Sequence, residues 1–126
     1  MTSLRIDALP SVDLDCNGRR LGVALYLAET FGARLRGLLG QPPLPHGVGL
    51  GIQPCSSVHG AGMRFALEVW FLDRSGLLLG VRALAPWRMA AHSGARSVIE
   101  WAPGEAQRLG VAVGDRLLQV PRGSAA

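Results

Sequence analysis

Three side chains capable of nucleophilic chemistry stand at alternate positions: Cys55, Ser57 and His59. In an extended strand, residues i, i+2 and i+4 line one face, so a thiol, a hydroxyl and an imidazole would share a surface. Such a set could activate a nucleophile, with Glu68 or Asp73 orienting the imidazole. Cys55, His59 and Glu68 are therefore the catalytic candidates of a Cys/His-dependent hydrolase or transferase. Against this reading, neighbours on one strand rarely reach triad geometry. A small buried thiol beside a backbone-bonded histidine would have the same sequence. A metal centre would need Cys55 and His59 together with His46, His92 or a carboxylate. The cysteines and histidines follow no standard zinc spacing, so neither a metal nor a cofactor is expected.

A binding site accounts for the same stretch more simply. Ligand pockets are lined by large apolar and aromatic groups with a few convergent polar ones. His59, Met63, Arg64, Glu68 and Trp87 supply that mixture. The expected function is non-enzymatic binding of a small molecule or peptide at these residues. Arg64 and Glu68 are four apart and could instead neutralise each other. Trp87 follows Pro86 at a strand break, which is a rim position. Trp70 and Trp101 lie in apolar runs and are expected in the core. Neither GVGLG nor GAG stands between a strand and a helix, so neither reads as a nucleotide-binding loop.

The elements that must position these residues are mostly strands. Phe65, Leu67, Val69 and Phe71 alternate with Arg64, Ala66, Glu68 and Trp70, one face wholly apolar and one mixed. Asp73-Arg74-Ser75-Gly76 reads as a turn, and Leu77 to Ala85 returns as a second strand. This hairpin is expected at the centre of a sheet. Asn17-Gly18 is a hairpin signal, because both residues tolerate positive φ. The alternation of Leu21, Val23, Leu25 and Leu27 reads as the strand returning from it. Further strands are expected at 48–52, 97–101 and 117–120, with Ser57-Val58-His59 ending another, and an exposed loop at 88–95. Phe31, Leu35, Leu38 and Leu39 form a helical stripe over 30–39, with Thr30 before it and Gly40 and Pro42-Pro43 after it. A short helix is expected at 103–109, between Pro103 and Gly110. Glu100, inside an apolar strand, is expected to be exposed or paired, and Asp115 to make a turn.

Composition narrows the function classes. At 126 residues the chain has the size of one domain, with its core over about 12–120. Hydrophobic residues make up 48% and charged residues 17%, which excludes a disordered chain. Seventeen glycines and eight prolines spread through it favour many turns and an all-β architecture. The net charge of +4 comes entirely from arginine on the basic side, scattered with no run beyond Arg19-Arg20. Nucleic-acid binding is not expected from such a distribution. Two cysteines far apart, no apolar leader and no stretch of about 20 apolar residues read as a cytoplasmic protein with two thiols and no membrane span.

Several short motifs in order also resemble one family. Arg34-Leu35-Arg36-Gly37-Leu38-Leu39-Gly40 is similar to its helix motif. Ser57-Val58-His59 with Gly62-Met63-Arg64 is similar to its His-Thr…Met segment. Glu68-Val69-Trp70-Phe71-Leu72-Asp73 stands where the family reads Asp-Val-Val-Phe-Leu-Asp, and Val98-Ile99-Glu100, Gly104 and Gly114-Asp115 complete the series. From about Leu21 to Val120 the chain resembles the domain of unknown function 192 family, small bacterial and archaeal proteins. Gly60 stands where that family has Thr, and Glu68 where it has Asp. The resemblance implies a mostly β fold and a site at those motifs, and no particular activity. Some members carry signal peptides or lie near secretion genes, so it also admits an envelope or secretion accessory that binds a protein partner. The fold expected is mainly β, a sandwich or partly closed barrel of seven to nine short strands with one or two short helices.

Overall fold

Asn17 and Gly18 take φ of 51° and 89°, the left-handed backbone that a two-residue hairpin turn requires. The turn joins β1 (Ser11–Cys16) to β2 (Arg19–Arg20), with Cys16 opposite Arg19. The return strand is shorter than the alternation at 21–27 suggests. It breaks at 21–23 and resumes as β3 (Ala24–Ala28), which pairs with the start of β1. Buried Asp13 holds the break, its Oδ1 accepting the N–H of Val23 at 2.9 Å and of Leu14 at 2.7 Å. The computed structural model describes residues 8–28, 43–59 and 64–123, with His59 by its backbone alone. The helix expected over 30–39 lies outside the described residues.

The remaining strands are β4 (Val48–Ile52), β5 (Ser57–His59), β6 (Leu67–Leu72), β7 (Leu78–Leu84), β8 (Met89–Ala91), β9 (Ser97–Trp101) and β10 (Leu117–Val120). The main sheet runs β10-β1-β3-β4-β9-β6-β7, with β2 beside β1. All neighbours are antiparallel except β3 and β4. The sheet curls into a half barrel. Its two edges meet at one end, where Leu77 bridges Arg116, Leu78 N–H donates to Asp115 O at 2.8 Å and Leu117 N–H to Gly76 O at 2.9 Å. Only glycine fits there: Gly76 has φ 87°, and a Cβ on it would stand 2.2 Å from the Leu117 carbonyl oxygen.

Both faces of β6 are buried, so the mixed alternation around it does not mark a solvent face. Leu67, Val69 and Phe71 enter one core, covered by Val58 of β5 and Ala90 of β8, which pair as a separate two-stranded ribbon. Trp70 and Leu72 enter a second core inside the curl with Leu14, Leu25 and Leu117. The expected hairpin forms, but only β6 is central, and β7 is an edge of the sheet. The expected loop at 88–95 contains β8, and Ala90 and Ala95 are buried. The pairing of β8 with β5 carries Ala90 into the first core beside Val58, a partner more than 30 positions away that local composition does not reveal.

The short helix α1 (Glu105–Leu109) falls inside its expected span and packs Ala106 and Leu109 into the second core. Trp70 and Trp101 pack there with ring centroids 4.8 Å apart and planes tilted 44°, a contact worth roughly 0.5–1.5 kcal/mol beyond area burial. Both are completely buried, as their apolar surroundings in sequence suggest. Trp101 also explains Gly49 on the neighbouring strand, where a Cβ would lie 2.9 Å from the indole ring.

Candidate functional site

β6 holds Glu68 in position, but its carboxylate is occupied by the fold. One oxygen accepts the Trp70 Nε1–H at 2.8 Å and the Ala106 N–H at 2.7 Å, and the other accepts the Gly104 N–H at 3.0 Å. Glu68 thus anchors the first turn of α1, whose backbone N–H groups have no partner inside a helix this short. Arg64 is exposed and precedes the strand, which begins at Leu67, so the two do not share a strand face. Asp73 is likewise committed: its Oδ1 accepts hydrogen bonds from Ser75 N–H, Ser75 Oγ and Leu77 N–H. The Ser75 hydroxyl, with the Leu77 N–H next, holds its carboxyl below the usual range.

Cys55 lies before β5 rather than on it. Its half-buried thiol donates to the Ser57 carbonyl oxygen at 3.0 Å. The shared strand face expected for Cys55, Ser57 and His59 is therefore not formed, since the strand starts at Ser57. His59 ends β5 opposite Met89, and Met63 lies outside the described residues. Trp87 stands in the turn between β7 and β8. It is 72% exposed and has φ 64°, an uncommon backbone for a bulky residue. Met89, the residue opposite His59, is 71% exposed. His46 belongs elsewhere: its Nδ1 lies 2.6 Å from the fully buried Glu105, which also accepts the Gly47 N–H and two hydrogen bonds from Arg108. Burial alone would raise the Glu105 carboxyl. The Arg108, Gly47 and His46 hydrogen bonds and the Arg108 charge outweigh burial and hold it at about 2. Among the described residues, no group of three or more His, Cys, Asp or Glu side chains is arranged to hold a metal.

A cavity of about 310 Å³ opens at the end of the half barrel where the sheet edges meet. Its floor is the apolar side of the second core, with Leu14, Leu25, Leu27, Leu72, Ile99 and Leu117. Its rim is polar and comes from strand ends: Gln53 after β4, Asp73 to Gly76 between β6 and β7, Arg96 and Ser97 at the start of β9, and Gln119 on β10. Gly51 contributes to the space, because a Cβ there would contact Leu27 at 3.3 Å and Leu25 at 3.4 Å. Arg74 and Arg96 are exposed, and neither forms an ion pair among the described residues. An adjoining open depression is lined by Gln53, Pro54, Arg74 and Arg96, and another beside it by Cys55, Ser56, Ser57 and Arg96. The sequence reading missed this rim. Its turn residues were visible, but nothing in the chain order links position 74 to 53, 96 and 119.

Glu100 departs from its expected state. It is buried on the first-core face of β9, between Leu50 of β4 and Val69 of β6, and no hydrogen bond or ion pair reaches it among the described residues. Burial pushes its carboxyl up to about 7. Asp115 does make its turn, accepting the Ala112 N–H at 2.9 Å and the Asn17 side-chain amide at 3.0 Å. The Cys16 thiol lies 3.6 Å from the same Asp115 oxygen that accepts the Ala112 N–H, and burial first and Asp115 second raise that thiol.

Among the described residues, a curled β half barrel with two cores and the short α1 packed into the second defines the structural class. Residues 12–119 match the domain of unknown function 192 family, described as an uncharacterized ACR, and the chain belongs to that family. It is 32% identical over 104 residues to the UPF0127 protein PF1050 of Pyrococcus furiosus, covering 79% of this chain and 90% of that one. Two solved structures share the fold. One is a protein of unknown function from Novosphingobium aromaticivorans, with TM-score 0.77 and 19% identity over 93% of this chain and 91% of that one. The other is a candidate transcription regulator from Sinorhizobium meliloti, with TM-score 0.78 and 18% identity over 94% and 97%. At these identities the likeness shows the fold alone. Among the described residues no helix is long and apolar enough to cross a membrane.

Proposed function

We propose that this protein is a non-enzymatic binding module whose small-molecule site is the open end of the half barrel. The observation that carries this reading is the cavity of about 310 Å³, with an apolar floor and a rim of polar side chains from separate strand ends. Concave apolar space with a few convergent polar groups is the usual form of a ligand site, and its volume is at the lower end of the usual range. The enzyme reading has less support: the Cys55 thiol points to a carbonyl oxygen, and the carboxylates of Glu68 and Asp73 are taken up by backbone and side-chain donors. The test is a thermal-shift screen with small amphiphilic compounds, repeated on Ile99→Phe, which fills the cavity floor. A ligand at about 100 times its dissociation constant adds roughly 2.7 kcal/mol of stability. The reading predicts stabilisation of the wild type and a weakened effect in the variant. Compounds that stabilise both proteins equally would place binding elsewhere.

A second reading keeps the site at His59, Met63, Arg64 and Trp87 and gives it a peptide partner. It is favoured by Trp87, which holds a large apolar ring in solvent on a left-handed backbone. Such a conformation costs about 1–3 kcal/mol and commonly persists at functional positions. Trp87→Gly should therefore raise the melting temperature and abolish binding to a peptide array. A variant that is stabilised and still binds the array would leave the ring without that role.

A further inference from the structure

We infer that the cavity takes an amphiphile with one oxyanion head and a straight apolar tail, the head held by Arg74 and Arg96. This rests on the cavity being a binding site and adds the class of its ligand. Both arginines line the cavity, and both also line the shallow depression outside it together with Gln53. They therefore stand at the boundary between apolar interior and solvent. Their backbones are fixed. Arg96 N–H donates to Leu72 O at 2.8 Å, its carbonyl accepts the Cys55 N–H at 3.0 Å, and Arg74 lies in the turn closed by Asp73 and Gly76.

The positive charge at this mouth is only partly compensated. Asp73 is the acid of the rim, and its Oδ1 already accepts three hydrogen bonds within its own turn. It makes no ion pair with either arginine. A third arginine approaches the same turn, with Arg116 Nη1 3.5 Å from the Ser75 carbonyl oxygen. A guanidinium presents a planar fork of donors that fits a carboxylate or phosphate and is less strongly hydrated than an ammonium. Two such groups over an apolar floor suit a ligand whose charge is confined to one end. At about 30 Å³ for each water-sized group, the volume holds on the order of ten heavy atoms. A tail of eight to ten carbons fills it.

The experiment is isothermal titration of the full chain with a homologous series of alkyl carboxylates from butanoate to hexadecanoate below their micellar concentrations, with decanol and decyl phosphate as head-group controls. Affinity should climb with tail length to about ten carbons and then level, and decanoate should bind at least tenfold tighter than decanol. Decyl phosphate binding tighter than decanoate would select phosphate as the natural head, and the reverse would select carboxylate. Arg74→Ala and Arg96→Glu are exposed changes, and each should weaken decanoate at least tenfold while leaving decanol and the unliganded melting temperature unchanged. Equal binding of decanol and decanoate, indifferent to both variants, would overturn the anion inference and leave the cavity reading standing. No binding by any member would overturn both. Affinity that keeps climbing to hexadecanoate would mean adsorption on the surface and would overturn the assignment to this cavity.

Discussion

Replacing Glu100 by Gln should stabilise the protein at alkaline pH and do little at pH 4.5. Glu100 is buried, paired across the sheet with Leu50 and Val69 on the flanking strands, and burial raises its carboxyl from 4.5 to about 7. A raised folded-state value means that the folded form prefers the proton. The stability associated with the protonated group is fully present below pH 4.5 and is lost as pH rises through about 7. At about 1.4 kcal/mol for each pH unit between the two states, the loss at pH 8.5 is roughly 3 kcal/mol. In a domain of this size that corresponds to a melting temperature lower by about 10 °C. Gln is nearly isosteric and cannot ionise, and any penalty for burying its amide does not change with pH. The assay is urea unfolding of both proteins at half-unit intervals from pH 4.5 to 9. The variant's advantage should grow from near zero to roughly 3 kcal/mol across that window. Parallel stability curves would refute the reasoning, because they would mean that the ionised carboxylate is satisfied in the folded state.

Glu105 should show the opposite dependence. Held at about 2 against an ordinary 4.5, it contributes stability present above pH 4.5 and lost as pH falls toward 2, roughly 2–3 kcal/mol in all. Glu105→Gln should flatten the acid limb of the unfolding curve, and an unchanged acid midpoint would argue against the Arg108–Glu105–His46 contacts. Gly76→Ala should lower stability by about 3 kcal/mol or more, since it combines a strained positive φ with a Cβ against the Leu117 carbonyl; calorimetry showing less than 1 kcal/mol would mean that the sheet edges can part without penalty. Glu68→Ala leaves the Trp70 indole and the N–H groups of Gly104, just before α1, and Ala106 without an acceptor and should cost about 2–4 kcal/mol, with exchange of the Ala106 amide hydrogen accelerated.

Much of the architecture is legible without coordinates. The Asn17-Gly18 turn, the β6–β7 hairpin, β9 and the short helix near 105 follow from local turn chemistry and period-2 alternation, which act over a few residues. The burial of Trp70 and Trp101 follows equally well from their apolar neighbours. Local reading fails where a side chain's partner is distant in sequence. Glu68 resembled a site residue because nothing nearby in sequence shows that Gly104 and Ala106 come to meet it. Glu100 resembled an exposed or paired acid because alternation cannot say that both faces of its strand are covered. The mixed face beside Phe65–Phe71 has the same explanation.

By itself the sequence determined that this chain is a mainly β protein and a member of its family, because strand alternation, turn glycines and ordered short motifs are local properties. Only the tertiary structure decided where ligand-sized space lies. The curl of the sheet sets Gln53, Arg74, Arg96 and Gln119 around one opening, although they are separated by up to 66 positions in the chain. It also commits Glu68 and Glu105 to holding α1 in place. Both outcomes depend on strand order and closure, which arise from burying two apolar faces at once and which no short stretch of sequence encodes.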